Sequence, residues 1–545
     1  MSATTPTVTE LLLARAVDER PGLRFEDATW SWADHVRQAA AYAAAFEALR
    51  RPGAPFHIGI LADNRPEFSF ALAGSALSGA VLVGLNPTRR GAALARDVRL
   101  ADCQLVLTEA RHAGLLAGLD LGLAPDRVLD LDSPGWRETV AAHEDAALTP
   151  VLATPDDLLM LIFTSGTSGD PKAVRCTHGK IAFPGRMLAD RFALSTSDTV
   201  YLSMPMFHSN AIMAGWAVGL AAGATLALRR RFSASGFLPD VRAFGATYAN
   251  YVGRPLSYVL ATPEAEDDAD NPLCLVYGNE GAEADLRRFA ERFDCLVIDA
   301  FGSTEGGVAI ARTPDTPPGA LGALPEGTVI LDPDTGKPCP PAEFGPDGRL
   351  LNAEQAVGEF VNTDGPGWFA GYYGDPEATE SRLRDGWYHS GDLGYADRDG
   401  YCYFAGRTGD WMRVDGENLG AAPIERILAR HPGIAEVAVY AIPDPTVGDQ
   451  VMAAVVPRAE LDPADFAAFL AAQPDLGPKQ LPRYVRIADA LPRTATYKVV
   501  KRILAAQGID CGDPVWRRSG PDYLPLSGSS DVSGPRGGQA GRRRR

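Results

Sequence analysis

The chain has 545 residues, 46% of them hydrophobic and 22% charged, and a formal net charge of −17. That length exceeds the roughly 250–300 residues at which one hydrophobic core stops growing, so at least two domains are expected, with no need of a disulfide or metal staple. The acidic balance argues against nonspecific nucleic-acid binding, and it requires any cations that meet an anionic ligand to be placed locally.

The N-terminal stretch MSATTPTVTELLLARAVDERPG has only three consecutive leucines before charges begin, which is not a secretory signal. No apolar run reaches the roughly 18–20 residues that span a bilayer. The expectation is a cytoplasmic protein whose membrane contact, if any, is peripheral.

Helices and strands then alternate. Val36, Ala39, Ala40, Ala43, Phe46 and Leu49 make a helical stripe after Trp32. HIGIL (57–61) and CQLVLT (103–108) read as strands, and FALAGSALSGAVLVGLNP reads as a small-residue helix entering a buried strand at Ala80 to Gly84. This rhythm predicts a mostly parallel sheet covered by helices.

The apolar run LLMLIF leads into TSGTSGDPK, Thr164 to Lys172. Glycines leave backbone N–H groups uncovered and hydroxyls add donors, so such a loop can cradle phosphate oxygens, with Lys172 as a point charge. It is not a Walker A loop, which needs Gly-Lys-Ser/Thr entering a helix. Here Pro171 resists helical continuation from Asp170, and KAVRCTH alternates like a strand. A mobile connection between two strands is expected; an ordinary Ser/Thr/Gly hairpin has the same composition.

TVYLSMPMFHSNA, GATLALRRRF, ATYANYVG, LCLVYGNEG and CLVIDAFGSTEGG each read as a strand ending in a polar or glycine-containing turn. In open α/β sheets ligands gather outside the carboxyl ends of strands, so these ends are the first candidates for a site. In DAFGSTEGG, Phe301 offers an aromatic face, Ser303 and Thr304 hydroxyls, and Glu305 a hard oxygen suited to Mg²⁺. A lone Thr-Glu is equally a cap or surface turn. GSTEG is not a nucleophile elbow, because its serine stands second and not third, which counts against a serine hydrolase.

From about Pro314 to Gly374 proline and glycine are dense, predicting a small β-rich subdomain. Asp392 then follows Ser-Gly, where a carboxylate suits a ribose diol or an Asx-turn, and Arg407 follows Gly406 at the end of an aromatic strand. Further on come helix APIERILARHP, strands EVAVYAIP and QVMAAVVP, helix PADFAAFLAAQ and strand RYVRIAD, a compact α+β unit. The boundary is placed at Gly409–Asp410, where glycine gives a hinge its freedom, although an ordinary turn reads the same way. Lys498 and Lys501 in LPRTATYKVVKRIL share a face if helical.

The tail SGSSDVSGPRGGQAGRRRR has the composition of a disordered segment. Seven scattered cysteines without a Cys-x-x-Cys pair argue for reduced thiols, not a zinc site or disulfide framework. The expected fold is thus α/β: a large N-terminal domain of βαβ-layered sheets with a small β-rich subdomain over 1–408, a mobile small α+β C-terminal domain over 409–525, and a disordered basic tail over 526–545.

Taken in order, FTSGTSGDPK, FGSTEGG, YHSGDLG, GRTGDWMRVDGENL and PRTATYKVVKR resemble the adenylate-forming superfamily of acyl-CoA synthetases over about residues 25–510. ALRRRFSAS, NYVGRPLSY, VYGNEG and Tyr497 look like the fatty-acid-transport-protein and very-long-chain branch, with bacterial FadD-type ligases and ligases for bile acids and other steroid carboxylates. The resemblance implies ATP, Mg²⁺ and CoA, and a two-step reaction through acyl-AMP with rotation of the C-terminal domain between steps.

By resemblance Thr164, Ser165, Gly166, Thr167, Ser168, Gly169 and Lys172 hold the β/γ-phosphates, Glu305 binds Mg²⁺, and Thr304 contacts phosphate. Lys498 bridges carboxylate and α-phosphate. Gly278, Asn279, Glu280 and Phe301 border the adenine, Gly302 is among the nucleotide-binding residues, and Asp392 and Arg407 border the ribose. Gly416 lets the CoA pantetheine pass close to the backbone. The acyl pocket is implied near His208, Asn250, Tyr251 and Gly253.

Two positions depart from many relatives: Gly409 stands where Asp or Lys is common, and Tyr497 replaces a glycine before the lysine. The implied activity is ligation of a long-chain fatty acid or other large hydrophobic acid, a steroid side-chain acid included, to CoA. The alternatives are acyl transfer to a carrier protein and a nucleotide-dependent lipid-binding or uptake protein. Oligomeric state stays open.

Overall fold

The computed structural model describes residues 5–164, 171–313, 315–346, 350–407, 411–414, 417–444, 448–494 and 499–526. The chain divides into two compact units. One holds the described residues up to Ala342, from Gln355 to Phe404, and Arg493 with Thr494; the other holds those of Glu343 to Glu354, Ala405 to Pro492 and from Val499 onward.

The first unit contains two large sheets. One runs in the order Val128–Asp130, Cys103–Thr108, His57–Leu61, Val81–Gly84, Leu158–Thr164, Lys172–Thr177. Every neighbouring pair in it is parallel except the last, which is antiparallel. The other runs Leu296–Asp299, Leu275–Asn279, Tyr248–Val252, Thr199–Leu202, Thr225–Leu228, Pro21–Phe25, Ala28–Ser31, parallel up to an antiparallel edge strand. The strands predicted from buried apolar runs are present, and the predicted small-residue helix is the crossover Pro66–Ser78; the other crossovers, such as Gly91–Leu100 and Glu283–Phe293, are helices that the sequence reading did not single out.

Helix Trp32–Leu49 begins where the sequence stripe does because Ser31 and Asp34 form a capping box, each side chain accepting from the other's backbone N–H. It packs on helix Pro66–Ser78, which is buried almost all round. Gly74 permits that approach: a Cβ there would lie 2.8 Å from Tyr42 Cβ. The main core cluster joins both sheets, from Ile58 and Ile60 to Leu202 and Leu226, through Leu72 and the buried Trp216.

Asn64, just past strand His57–Leu61, pins the sheets at their carboxyl ends. Its Nδ2 donates to the carbonyls of Met204 (2.9 Å) and Arg229 (3.1 Å), and its Oδ1 accepts from Met206 N–H at 2.9 Å. Beside it the carboxylates of Asp63 and Glu109 meet Arg65, Arg111, Arg230 and Arg231. With His112 these two acids form a cluster of metal-ligand type, the one such group among the described residues, but the guanidinium groups already neutralise its charge.

The Pro- and Gly-rich region supplies three strands, Gly322–Ala323, Thr328–Leu331 and Gly358–Asn362, of a sheet completed by Trp387–Ala396 and Tyr401–Arg407, which follow it in the chain. In the second unit, strand Gly448–Pro457 is flanked by Ile434–Asp444 and Tyr484–Ile487, with helices Ala421–Leu428, Pro463–Ala471 and Lys501–Gln507. Gly409 and Asp410, the predicted hinge, lie outside the described residues, as does the tail from Ser527. The seven cysteines are all free. Among the described residues no helix is long and apolar enough to cross a membrane.

Candidate active site

The glycine-rich loop joins two strands, as its Pro-Lys ending predicted. Leu158–Thr164 and Lys172–Thr177 pair antiparallel with Thr164 opposite Lys172. Ser165, Gly166, Thr167, Ser168 and Gly169 themselves lie outside the described residues. Lys172 is held at the hairpin's exit, its Nζ 5.1 Å from the centroid of the Tyr372 ring.

The same tyrosine reaches Glu305. Its hydroxyl donates to Glu305 Oε1 at 2.9 Å. Burial alone would raise the Glu305 carboxyl. Its own backbone N–H, the Tyr372 hydroxyl and the charges of Arg382 and Lys180 outweigh burial and hold it below the ordinary range. Thr304 Oγ1 lies 2.8 Å from Ser209 Oγ. A carboxylate kept ionised beside a hydroxyl is the hard-oxygen donor set that a small divalent cation takes, so Glu305 with Thr304 fits Mg²⁺.

Arg382 stands between this group and the Asp392 turn. Gly391 takes a left-handed φ of 71°, and a Cβ there would lie 2.3 Å from Arg382 Nη1, so a side chain would be strained and would displace the guanidinium. Glu359 shapes the turn from the other side, accepting from Gly391 N–H at 2.7 Å and bonding His389 Nδ1 at 2.9 Å. Asp392 is 6% exposed, and its backbone N–H donates to Ser390 Oγ at 3.0 Å. Arg407 ends strand Tyr401–Arg407 and belongs to the second unit. Gly416 and Lys498 lie outside the described residues; helix Lys501–Gln507 starts at Lys501, whose Nζ pairs with Glu425 at 2.8 Å.

The strand ends expected to border the base form one patch. Gly278 is imposed by close packing, since a Cβ there would lie 2.1 Å from the Tyr251 carbonyl oxygen. The Asn279 carbonyl accepts from Gly253 N–H at 2.8 Å, and Glu280 takes a left-handed φ of 64°. A non-glycine residue there stores strain of the kind that clusters at functional sites. Phe301 packs between Phe360 and Phe404, each 5.8 Å away by ring centroids, and Gly302 faces open space.

The four residues implied for the acyl pocket separate by face. Tyr251 turns into the aromatic cluster of Phe237, Phe289 and Phe293, and its hydroxyl donates to Asp299 Oδ1 at 2.5 Å. Burial raises the Asp299 carboxyl to about 6, opposed by the Tyr251 hydroxyl and the Gly281 N–H. Asn250 points to the other face and donates to Asn210 Oδ1 at 2.6 Å. Asn210 in turn donates to the Tyr251 carbonyl (2.9 Å) and Asn279 Oδ1 (3.2 Å), tying the two strand ends together. His208 precedes the short helix Ser209–Ala211 with its ring 4.5 Å from that of Phe207, and a π-helical turn, Ile212–Trp216, follows. Gly253 takes a left-handed φ of 67° at the same strand end.

Sequence reading did not find Lys180, Ser209, Asn210, Tyr372 or Arg382. Lys180 looks like one polar residue in a helix start, and Tyr372 and Arg382 fall in a region legible only as turns. Each acts through a partner far away in the chain.

Residues 13–373 match the AMP-binding enzyme family, and residues 423–498 match the AMP-binding enzyme C-terminal domain. A Mycobacterium marinum protein named medium/long-chain-fatty-acid–CoA ligase FadD17 is 58% identical, covering 94% of this chain and 98% of the relative. The steroid-22-oyl-CoA synthetase of Rhodococcus jostii is 48% identical, covering 96% and 95%. ATP-bound MatB from Rhodopseudomonas palustris shares the fold with a TM-score of 0.79 at 24% identity, covering 92% of this chain and 98% of MatB. MenE from Bacillus subtilis in complex with its acyl-adenylate intermediate does so with a TM-score of 0.72 at 23% identity, covering 91% and 97%. Motif order, strand-end geometry and these similarities agree: the chain belongs to the AMP-binding enzyme family.

Proposed function

We propose that the protein is an AMP-forming acid–CoA ligase that activates a long-chain fatty acid or another large hydrophobic carboxylic acid, steroid side-chain acids included. The observation that carries this reading is the grouping of Lys172, Tyr372 and Glu305, which sets a phosphate-binding cation beside a metal-binding carboxylate at the mouth of the glycine-rich hairpin. The names of the two relatives support the choice of acid and of CoA.

In the first step the substrate carboxylate attacks the α-phosphorus of ATP, and pyrophosphate leaves. The reactants repel each other, so cations must be fixed in advance. Thr164 to Lys172 hold the departing phosphates, Glu305 with Thr304 holds Mg²⁺, and Lys498 bridges the carboxylate and α-phosphate. Bound Mg²⁺ supplies neutralisation of phosphate charge. Gly278, Asn279, Glu280, Phe301 and Gly302 border the base, and Asp392 and Arg407 the ribose. In the second step the CoA thiol attacks the acyl carbonyl, releasing AMP. Rotation at Gly409–Asp410 of the domain over 409–525 withdraws Lys498 and brings Gly416 to the thiol's path. The chain over 1–408 holds ATP and the acid, with His208, Asn250, Tyr251 and Gly253 around the acyl group, and 526–545 form a basic tail. We place the protein in the cytoplasm.

The test is incubation of purified protein with ATP, Mg²⁺, CoA and a panel of fatty and steroid acids, measuring AMP, pyrophosphate and thioester. All three should appear together. Pyrophosphate and acyl-AMP without thioester would indicate a carrier-protein acceptor, and no turnover with any acid would indicate a binding protein.

A further inference from the structure

Lys180 is the third residue of helix His178–Arg191, and its backbone N–H bonds the capping Thr177 Oγ1 at 3.2 Å. Its ammonium therefore stands in the first turn of a helix, where the macrodipole is already positive. It is also 3% exposed, so it has lost its hydration. An apolar side chain would satisfy both local demands better.

The compensation comes from two carbonyls. Lys180 Nζ donates to the carbonyl of Glu305 at 2.9 Å and to that of Arg175 at 3.4 Å. Arg175 lies on the strand leaving the glycine-rich hairpin, and Glu305 lies in the turn after strand Leu296–Asp299. The backbone folds over the lysine stem at Gly306, whose φ is +74° and where a Cβ would lie 3.1 Å from Trp368 Cβ and 3.5 Å from Lys180 Cε. Glu305 is thus fixed at its carbonyl by Lys180 and at its carboxylate by Tyr372.

We propose that Lys180 is a positioning residue for Glu305, setting the carboxylate's place for Mg²⁺-bound ATP through the backbone of the Ser303–Gly306 turn; this rests on the reading of Glu305 as the Mg²⁺-holding group. Its ammonium also adds a fixed positive charge behind a site that gathers phosphates. Loss of one charge-assisted hydrogen bond corresponds to roughly a tenfold to hundredfold change in an equilibrium.

The experiment compares wild type, Lys180→Met, Lys180→Arg and Glu305→Gln. Calorimetry reads ATP affinity with Mg²⁺ and with EDTA, and separate assays read adenylation and thioester formation from supplied acyl-AMP. Lys180→Met should weaken ATP binding about tenfold in Mg²⁺ and by less than about twofold in EDTA. It should slow adenylation more than thioester formation, with Lys180→Arg recovering part of the loss. Equal weakening in Mg²⁺ and EDTA, or equal slowing of both half-reactions, overturns the proposal. If Lys180→Met does not fold, Lys180→Gln, which keeps a donor without charge, carries the same comparison. Loss of the Mg²⁺ effect in Glu305→Gln but not in the Lys180 variants overturns the role of Lys180 alone. An unaltered Mg²⁺ effect in Glu305→Gln overturns both readings.

Discussion

The Tyr372 hydroxyl donates a 2.9 Å hydrogen bond to the carboxylate of Glu305, while the face of the same ring lies 5.1 Å from the Lys172 ammonium. One aromatic side chain thereby joins the end of the hairpin to the acidic turn. Its two roles are separable. Tyr372→Phe keeps the ring beneath Lys172 but removes the donor that helps hold the Glu305 carboxyl low. The Glu305 pKa should then rise, and the acidic limb of kcat/KM should move to higher pH, by up to about one unit for one lost hydrogen bond. A profile that extends down to about pH 3.5 checks this, because the wild-type limb lies below the ordinary carboxylate value; an unshifted acidic limb would show that Glu305 does not set it.

Lys498→Ala should separate the half-reactions. An ammonium preplaced against developing phosphate charge is worth on the order of 2–4 kcal/mol, so adenylation should slow by about thirtyfold to a thousandfold. Thioester formation from supplied acyl-AMP should change far less. Equal losses in both would remove the two-orientation mechanism.

Two glycines at the proposed base site should respond oppositely to alanine. At Gly278 the new Cβ would meet the Tyr251 carbonyl oxygen at 2.1 Å, and backbone cannot rotate away, so the overpacking cost is about 1–3 kcal/mol or more. At Gly302 a Cβ meets nothing within 4 Å. Urea melts should show a clear loss of stability for Gly278→Ala and little for Gly302→Ala. Similar midpoints for the two variants would contradict the close approach of these strands.

Asp299 predicts a pH dependence of stability. Its folded pKa of about 6 stands above the ordinary 3.8. Between those values the folded protein binds the proton more tightly than the unfolded chain does. Its contribution therefore falls as pH rises from about 4 to about 6 and levels off above, by at most about 3 kcal/mol. Asp299→Asn should remove that slope, so the stability difference between variant and wild type should grow in the variant's favour across the window. Parallel curves would exclude the assignment.

The sequence made the framework legible because its strands are buried apolar runs ended by polar turns, a pattern that depends only on near neighbours. His57–Leu61, Tyr248–Val252 and Leu275–Asn279 follow it directly. The hairpin followed from Pro171 and the alternation after it. What stayed hidden depends on contacts between distant segments. Lys180 meets Glu305 across 125 residues, and Asn210 reaches Asn279 across 69. Tyr251 shows the limit within one strand: neighbouring side chains alternate in direction, so Asn250 and Tyr251 serve opposite faces although the sequence offers them together.

The most direct test follows the carboxylate oxygen. An acid accepted as substrate is labelled with ¹⁸O in both carboxyl positions and turned over with ATP, Mg²⁺ and CoA, and the nucleotide product is analysed by mass spectrometry. Attack on the α-phosphorus followed by thiol attack on the acyl carbonyl leaves one labelled oxygen on the phosphate of AMP and one in the thioester. Unlabelled AMP, or label recovered in inorganic phosphate beside ADP, would contradict the acyl-adenylate route and the account of the site built on it.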